Sequence, residues 1–184
     1  MNREESYKLL KENLFNNNLL KHCLAVEAIM RGLAEKLGGS PEIWGIAGLL
    51  HDIDYEQTKD DALKHSLIGA EMLKNLGFSD EIVEAVKTHN EAHSIAPEGL
   101  MAKSLFVCDP MSGLIVAATL VLPSKNIKEL TVENVLNRFK EKAFARGANR
   151  EIIKQCEPLL GLPLEEFAKI SLEAMKGISK QLEL

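Results

Sequence analysis

Ile46-Ala47-Gly48-Leu49-Leu50-His51-Asp52-Ile53-Asp54 is the stretch on which the fold turns. Its apolar run reads as the buried end of a helix, where another Leu would ordinarily follow. An imidazole and a carboxylate at that point are expensive to bury unless something binds them. A divalent metal is the usual partner for such a pair.

Working outward, nearly every segment repeats at a helical period. Glu4 to Phe15 reads as a first helix, followed by a turn at Asn16-Asn17-Asn18 with Asn18 as N-cap. A second helix runs to about Leu37 and stops at Gly38-Gly39. Pro41 opens a third, which ends near His51-Asp52. Tyr55 to Lys59 reads as a polar loop, after which Asp60 or Asp61 caps a fourth helix ending at Gly77. Ser79 caps a fifth, with Asp80 and Glu81 placed well for the helix dipole. Glu91 to Glu98 is a loop, and helices follow near Gly99–Leu122, Thr131–Ala145, Asn149–Leu160 and Pro163–Leu182. No alternating run requires a strand. The expected fold is an all-α helical bundle in a single domain spanning 1–184.

The histidines fall on inward faces of these helices. His22, Val26, Ile29, Leu33 and Leu37 share one stripe. His65 with Met72 and Leu76, Ile82 and Val86 with His89, and Ala102 and Leu105 with Asp109 extend the pattern to three more helices. Pro110 disfavours a helical conformation at Asp109, so a local kink is expected to aim that carboxylate. Any one of these residues has an ordinary explanation as a satisfied core His or a capping Asp. Together, His22, His51, Asp52, His65, His89 and Asp109 make a metal cage. Imidazole and carboxylate without thiolate suit Fe, Mn, Zn, Co or Ni, and admit Mg. Structural zinc would ordinarily recruit Cys, so open positions and a catalytic role are expected.

Bulk properties narrow the partners. Lys and Arg number 22 against 27 Asp and Glu, a net charge of −5. That argues against non-specific nucleic-acid binding, which needs excess cations. Arg138 to Lys154 runs the other way, with six basic and two acidic residues, as a solvated helix face also would. Three Cys without short spacing suit a reducing compartment rather than a disulfide frame. The polar start Met1–Glu5 lacks the apolar core of a signal peptide. The apolar run Ser104–Ser124 is broken by Asp109-Pro110 and reads as a core helix, not a membrane span. A cytoplasmic protein is expected; the oligomeric state is not legible.

A His on an early helix, a His-Asp pair about thirty residues on and an Asp on a later helix are here His22, His51-Asp52 and Asp109. This pattern resembles the HD-domain superfamily of metal-dependent phosphohydrolases, and Ala47–Asp54 looks like its HDIG-type subgroup, as in small stand-alone bacterial members. The resemblance covers about 18–122 as an HD-like core, with about 123–184 left as a C-terminal helical extension. It implies a bundle with His22, His51, Asp52 and Asp109 around a metal. Binuclear members add two His between the pair and the last Asp, the places of His65 and His89, and Asp52 would then bridge the ions. The chain departs from the subgroup after Ile53, where Asp54-Tyr55 replaces Gly-Lys; that Lys assists substrate binding in several binuclear relatives. The GYP signature of the cyclic-dinucleotide phosphodiesterases is also missing.

The resemblance implies hydrolysis of a small phosphoester, such as a nucleotide, by metal-activated water oriented at Asp52. Asp54 or Glu56 can serve as general acid or base, or be solvated loop carboxylates. Arg146 and Arg150 can reach a substrate phosphate, or flank a helix junction with Gly147 as C-cap. His93 is expected to be exposed or substrate-facing. Two alternatives stay open: a di-iron oxygenase, since some HD-fold proteins cleave C–C or C–P bonds with dioxygen, and a non-catalytic metal- or ligand-binding module.

Overall fold

Asn2 accepts the Glu5 N–H while Glu5 accepts the Asn2 N–H, and this reciprocal cap starts α1 (Arg3–Asn13) in the computed structural model, which describes residues 1–184. Asn16, not Asn18, caps α2 (Asn17–Leu37), and Gly38 closes it in the left-handed region at φ 78°. Then come α3 (Pro41–Leu50), the short α4 (Tyr55–Thr58), α5 (Leu67–Asn75) and α6 (Asp80–Thr88). A 3-10 turn at Glu91–His93 leads to α7 (Gly99–Leu120). A second such turn, Ile127–Glu129, precedes α8 (Val132–Lys140), α9 (Arg150–Ile153), α10 (Cys156–Leu160), α11 (Leu164–Gly177) and α12 (Ser179–Leu182). No strand forms: the protein is an all-α bundle.

Two helices organise the core. On α2, Cys23–Met30 is buried as an unbroken run, together with Leu33 and Ala34. It packs on α3, α7 and α11, which explains apolar side chains on more than one face. On α7, Leu105, Val107, Cys108, Met111, Leu114 and Ile115 have less than 1% exposure. Length and apolarity alone would also suit that helix to a membrane crossing, but here it is the floor of the bundle. It continues through Pro110. Glu27, buried on α2, is held by Arg3 from α1 and by Arg31, which satisfies a carboxylate that would otherwise be costly in the core.

Gly48 sets the depth of α3 against α2. A Cβ there would lie 2.9 Å from both the Val26 carbonyl oxygen and Met30 Cγ. Only a bare α-carbon lets the two backbones approach so closely, and that approach brings His51, at the end of α3, against His22.

Four expected helices are shorter than the sequence pattern suggests, among them Pro163–Leu182, which breaks at Ile178 into α11 and α12. The expected fourth helix starts at Leu67 rather than near Asp61: Asp61 instead accepts the Leu63 N–H to form a turn, and Ser66 at φ 70° interrupts any helix through 62–66. Val132–Lys140 stops before Ala145, and Asn149–Leu160 is split into α9 and α10. Ala145, at φ 43°, lies in the loop between α8 and α9. Tyr55–Thr58, by contrast, is helical rather than loop.

Candidate metal centre

Five segments converge on one point: α2 brings His22, the end of α3 brings His51 and Asp52, the 62–66 turn brings His65, the end of α6 brings His89, and the middle of α7 brings Asp109. His51 is fully buried, Asp52 and His89 nearly so. His22 Nε2 lies 3.2 Å from His51 Nε2 and 3.0 Å from Asp109 Oδ1. On the other side, His65 Nε2 and His89 Nε2 are 3.2 Å apart, and they lie 3.3 and 3.5 Å from Asp52 Oδ1. The second oxygen of Asp52 faces His22 at 3.7 Å. Asp52 therefore sits between the two clusters, with Oδ1 toward His65, His89 and, at 3.5 Å, His51, and Oδ2 toward His22.

Each imidazole is oriented by its other nitrogen. His51 Nδ1–H donates to the Gly48 carbonyl at 2.8 Å, and His89 Nδ1–H to that of Val86 at 2.6 Å. Ser112 donates its hydroxyl proton to the Asp109 carbonyl, so its oxygen accepts from His22 Nδ1–H at 3.1 Å. His65 Nδ1–H donates to Asp54 Oδ1 at 3.0 Å. All four Nε2 atoms are thus left to face inward, toward two carboxylates and away from any Lys or Arg. Such hydrogen-bonded imidazoles are the usual form of metal ligands.

The charges follow from this crowding. Burial depresses His51 to about 4 despite Asp52, so it is neutral. Burial also works against charge on His65, but its hydrogen bonds to Asp52 and Asp54 prevail and push it up to about 10. His22 is raised likewise, burial being outweighed by Asp109 and Asp52. Burial opposes ionisation of Asp52, yet His51, His65, His89 and His22 hold it well below the usual carboxylate range. The 3.2 Å contact between His22 and His51 thus joins a ring whose pKa is raised to one whose pKa is lowered, at a place open to a cation. The spacing fits one: ligands at roughly 2.1 Å from an ion lie about 3.0–3.4 Å from each other.

The match to a family model covers residues 19–143, and the family is described as HD domain. The chain belongs to the HD domain family. The match runs past residue 122, so it takes in α8. HD domains bind divalent metals, and this HD chain supplies a His/Asp cluster able to hold one. Proteins named Ribonuclease Y are similar to it. That of Lawsonia intracellularis is 33% identical over 141 residues, 75% of this chain and 27% of the relative. That of Chloroflexus aurantiacus is 30% identical over 174 residues, 92% and 32% of the two chains. That of Pseudothermotoga lettingae is 29% identical over 180 residues, 96% and 35%. The chain spans about a quarter to a third of the length of these relatives.

Four residues expected at the chemistry do other work, and a fifth, Arg146, stands outside the cleft lining. Asp54 has no exposed surface, and its Oδ2 accepts the N–H groups of Ser66 and Gly69, each at 2.8 Å. With Oδ1 on His65, it positions a ring and has no free lone pair aimed at a substrate. Glu56 accepts the N–H groups of Phe15 and Asn16, joining α4 to the α1–α2 connection. His93 Nε2–H donates to the His65 carbonyl at 2.7 Å, where Asn90 also donates; it holds the ligand's main chain and does not face a substrate. Arg150 donates to the carbonyls of Phe144, Ala145 and Ala148, so its guanidinium shapes the loop from inside. Arg146 is exposed and stands outside the cleft lining, unlike its neighbours Gly147, Ala148 and Asn149.

Sequence reasoning missed Ser112, Ser66, Asn90, Glu91 and Asn149. A Ser three residues after Asp109 is a signal for Ser112; the others depend on contacts made across the fold.

Proposed function

We propose that this HD chain is a metal-dependent phosphohydrolase whose centre takes two divalent transition ions. The ligands are His22, His51, Asp52, His65, His89 and Asp109, and the substrate is a small phosphorylated molecule. One observation carries this: four inward Nε2 atoms, each with its Nδ1 committed to an acceptor, surround a carboxylate whose Oδ1 faces His65, His89 and His51 and whose Oδ2 faces His22. Fe, Mn, Zn, Co and Ni suit the donors, and Mg is admissible. When bound, such an ion supplies a water that ionises near a pKa of about 7.

The protein's own share is positional. Asp52 links the two clusters, so the attacking water and the phosphoryl group are held in one frame. Asp54 and Ser112 lock the rings of His65 and His22 against rotation. The cleft admits substrate from the side of Asp109 and His65, while the buried faces of His51 and Asp52 keep bulk water out behind it.

A second reading rests on the relatives' name, which favours an RNA phosphodiester as the bond cleaved. The experiment is metal analysis of protein purified without chelator, then a panel of phosphomonoesters, phosphodiesters and short RNA with Mn, Co, Ni and Mg. Two ions per chain are expected, with metal-dependent turnover that Asp52→Ala abolishes while far-ultraviolet circular dichroism stays helical. Normal metal binding by Asp52→Ala, or a loaded protein inert to the whole panel, overturns the proposal. One ion per chain would leave His65 and His89 as substrate contacts, and faster cleavage of RNA than of any small ester would favour the second reading.

A further inference from the structure

Above the centre lies a cleft of about 290 Å³ whose floor is His22, His65, His89 and Asp109. No Lys or Arg lines it. Of the cations on the neighbouring loop, Arg150 is engaged on main-chain carbonyls and Arg138 on Glu141 and the Phe144 ring, while exposed Arg146 stands outside the lining. One wall carries a carboxylate instead. Glu91 opens the 3-10 turn that follows α6, and its Oε2 accepts from Asn149 Nδ2 at 2.7 Å across the mouth.

That Asn149 amide cannot turn freely. Its oxygen caps α9 by accepting the N–H groups of Glu151 and Ile152, which directs its nitrogen at Glu91. Asn90, next to Glu91, is fixed in turn by its amide hydrogen bonds to the Ala62 and His65 carbonyls. Glu91 makes no ion pair, and its Oε1 makes no hydrogen bond within the protein. A carboxylate has about four lone-pair positions, so this one is held in place with most of its accepting capacity unused.

We propose, building on the hydrolytic reading above, that the cleft selects substrates with a single phosphoryl group, and that Glu91 is the residue that sets this limit. The phosphoryl group goes to the metal centre, the only place where positive charge is expected. The remainder of the substrate is uncharged or cationic and presents hydroxyl or amino donors to Glu91. A second phosphate on that remainder would meet the Glu91 carboxylate with no cation in the cleft lining to offset it.

The test compares two probes on metal-loaded protein by calorimetry. One is the methylene phosphonate analogue of adenosine monophosphate; the other is the same compound with a second phosphonate on its ribose. The singly charged-group probe is expected to bind about tenfold more tightly, given repulsion over a few ångströms in partly screened surroundings. Glu91→Gln keeps the shape and the contact to Asn149 but not the charge, and is expected to reduce that ratio below about threefold. Equal or tighter binding of the doubly substituted probe, an unchanged ratio in Glu91→Gln, or failure of both probes to bind overturns the inference. The readout is binding, so the two proposals fail separately. Preference without turnover on true phosphoesters removes only the hydrolytic reading; turnover without preference removes only this one.

Discussion

Replacing Asp54 by Asn separates ligand positioning from catalysis at this centre. Asp54 Oδ2 accepts two main-chain N–H groups, from Ser66 and Gly69, and Oδ1 accepts His65 Nδ1–H. Asn has one oxygen for these three donors. If the oxygen stays on the two N–H groups, the amide nitrogen faces His65 and forces Nδ1 to become an acceptor. The imidazole proton then moves to Nε2, and the ligand lone pair is lost from the centre. The opposite amide orientation leaves two buried N–H groups facing another donor, at about 1–3 kcal/mol each, so the first arrangement prevails.

Loss of such a supporting carboxylate ordinarily weakens metal binding about 10–100-fold, or roughly 1.4–2.7 kcal/mol. The loss should be confined to the ion held by His65 and His89, because His22, His51 and Asp109 do not touch Asp54. Competition against a chelator of known affinity reads the two stepwise constants, and circular dichroism checks the fold. If both constants match wild type, or if both fall together in a folded protein, Asp54 does not act through His65.

Acidity should bear on stability from both sides. His65, raised to about 10, stabilises the metal-free fold fully below its unfolded value of about 6.5, and that contribution is lost as pH rises toward 10. His51, lowered to about 4, opposes folding as pH falls from about 6.5 to 4, because the unfolded chain takes up a proton the buried ring refuses. The melting temperature of metal-free protein should therefore peak near pH ~6.5, and saturating metal should flatten the alkaline fall by displacing the His65 proton. A melting curve that climbs steadily to pH 9 would contradict this assignment. Gly48→Ala should lose about 1–3 kcal/mol through the overpacked contact with Val26 and Met30, measured by urea unfolding. Because α3 must then move off α2 and carries His51 and Asp52 with it, metal binding should also weaken; unchanged affinity would disprove the role given to that contact.

The candidate ligand residues are legible because they contradict their surroundings. His51 and Asp52 interrupt an apolar run, and His22, His89 and Asp109 fall on stripes that are otherwise core. His65 was found for an incomplete reason. It was placed on a helix by spacing, whereas the structure puts it in a turn that ends at Ser66 with φ 70°. A non-glycine residue in that region gives little sequence signal. The turn is held by partners distant in sequence: Asp54 on the Ser66 N–H, Ser66 on the Lys87 carbonyl, Asn90 and His93 on the His65 carbonyl. Likewise, the loop before Arg150 was read as a helix junction or a phosphate grip, because nothing local says that a guanidinium will turn inward to collect carbonyls.

Asp54 and Tyr55, which stand where the resemblance to HDIG-type sequences implies Gly and Lys, bear on the substrate question. Asp54 orients His65, and the Tyr55 ring meets the His65 ring edge-on at 5.5 Å. Both positions therefore serve a ligand, and neither offers a cation to a substrate. Nothing else in the cleft makes up that charge, since its lining holds Glu91 and no Lys or Arg. A cleft with no cation in its lining and a carboxylate at its mouth is what the proposed selectivity for a single phosphoryl group requires. The two residues that depart from the HDIG-type pattern thus agree with the selectivity proposed from the opposite wall.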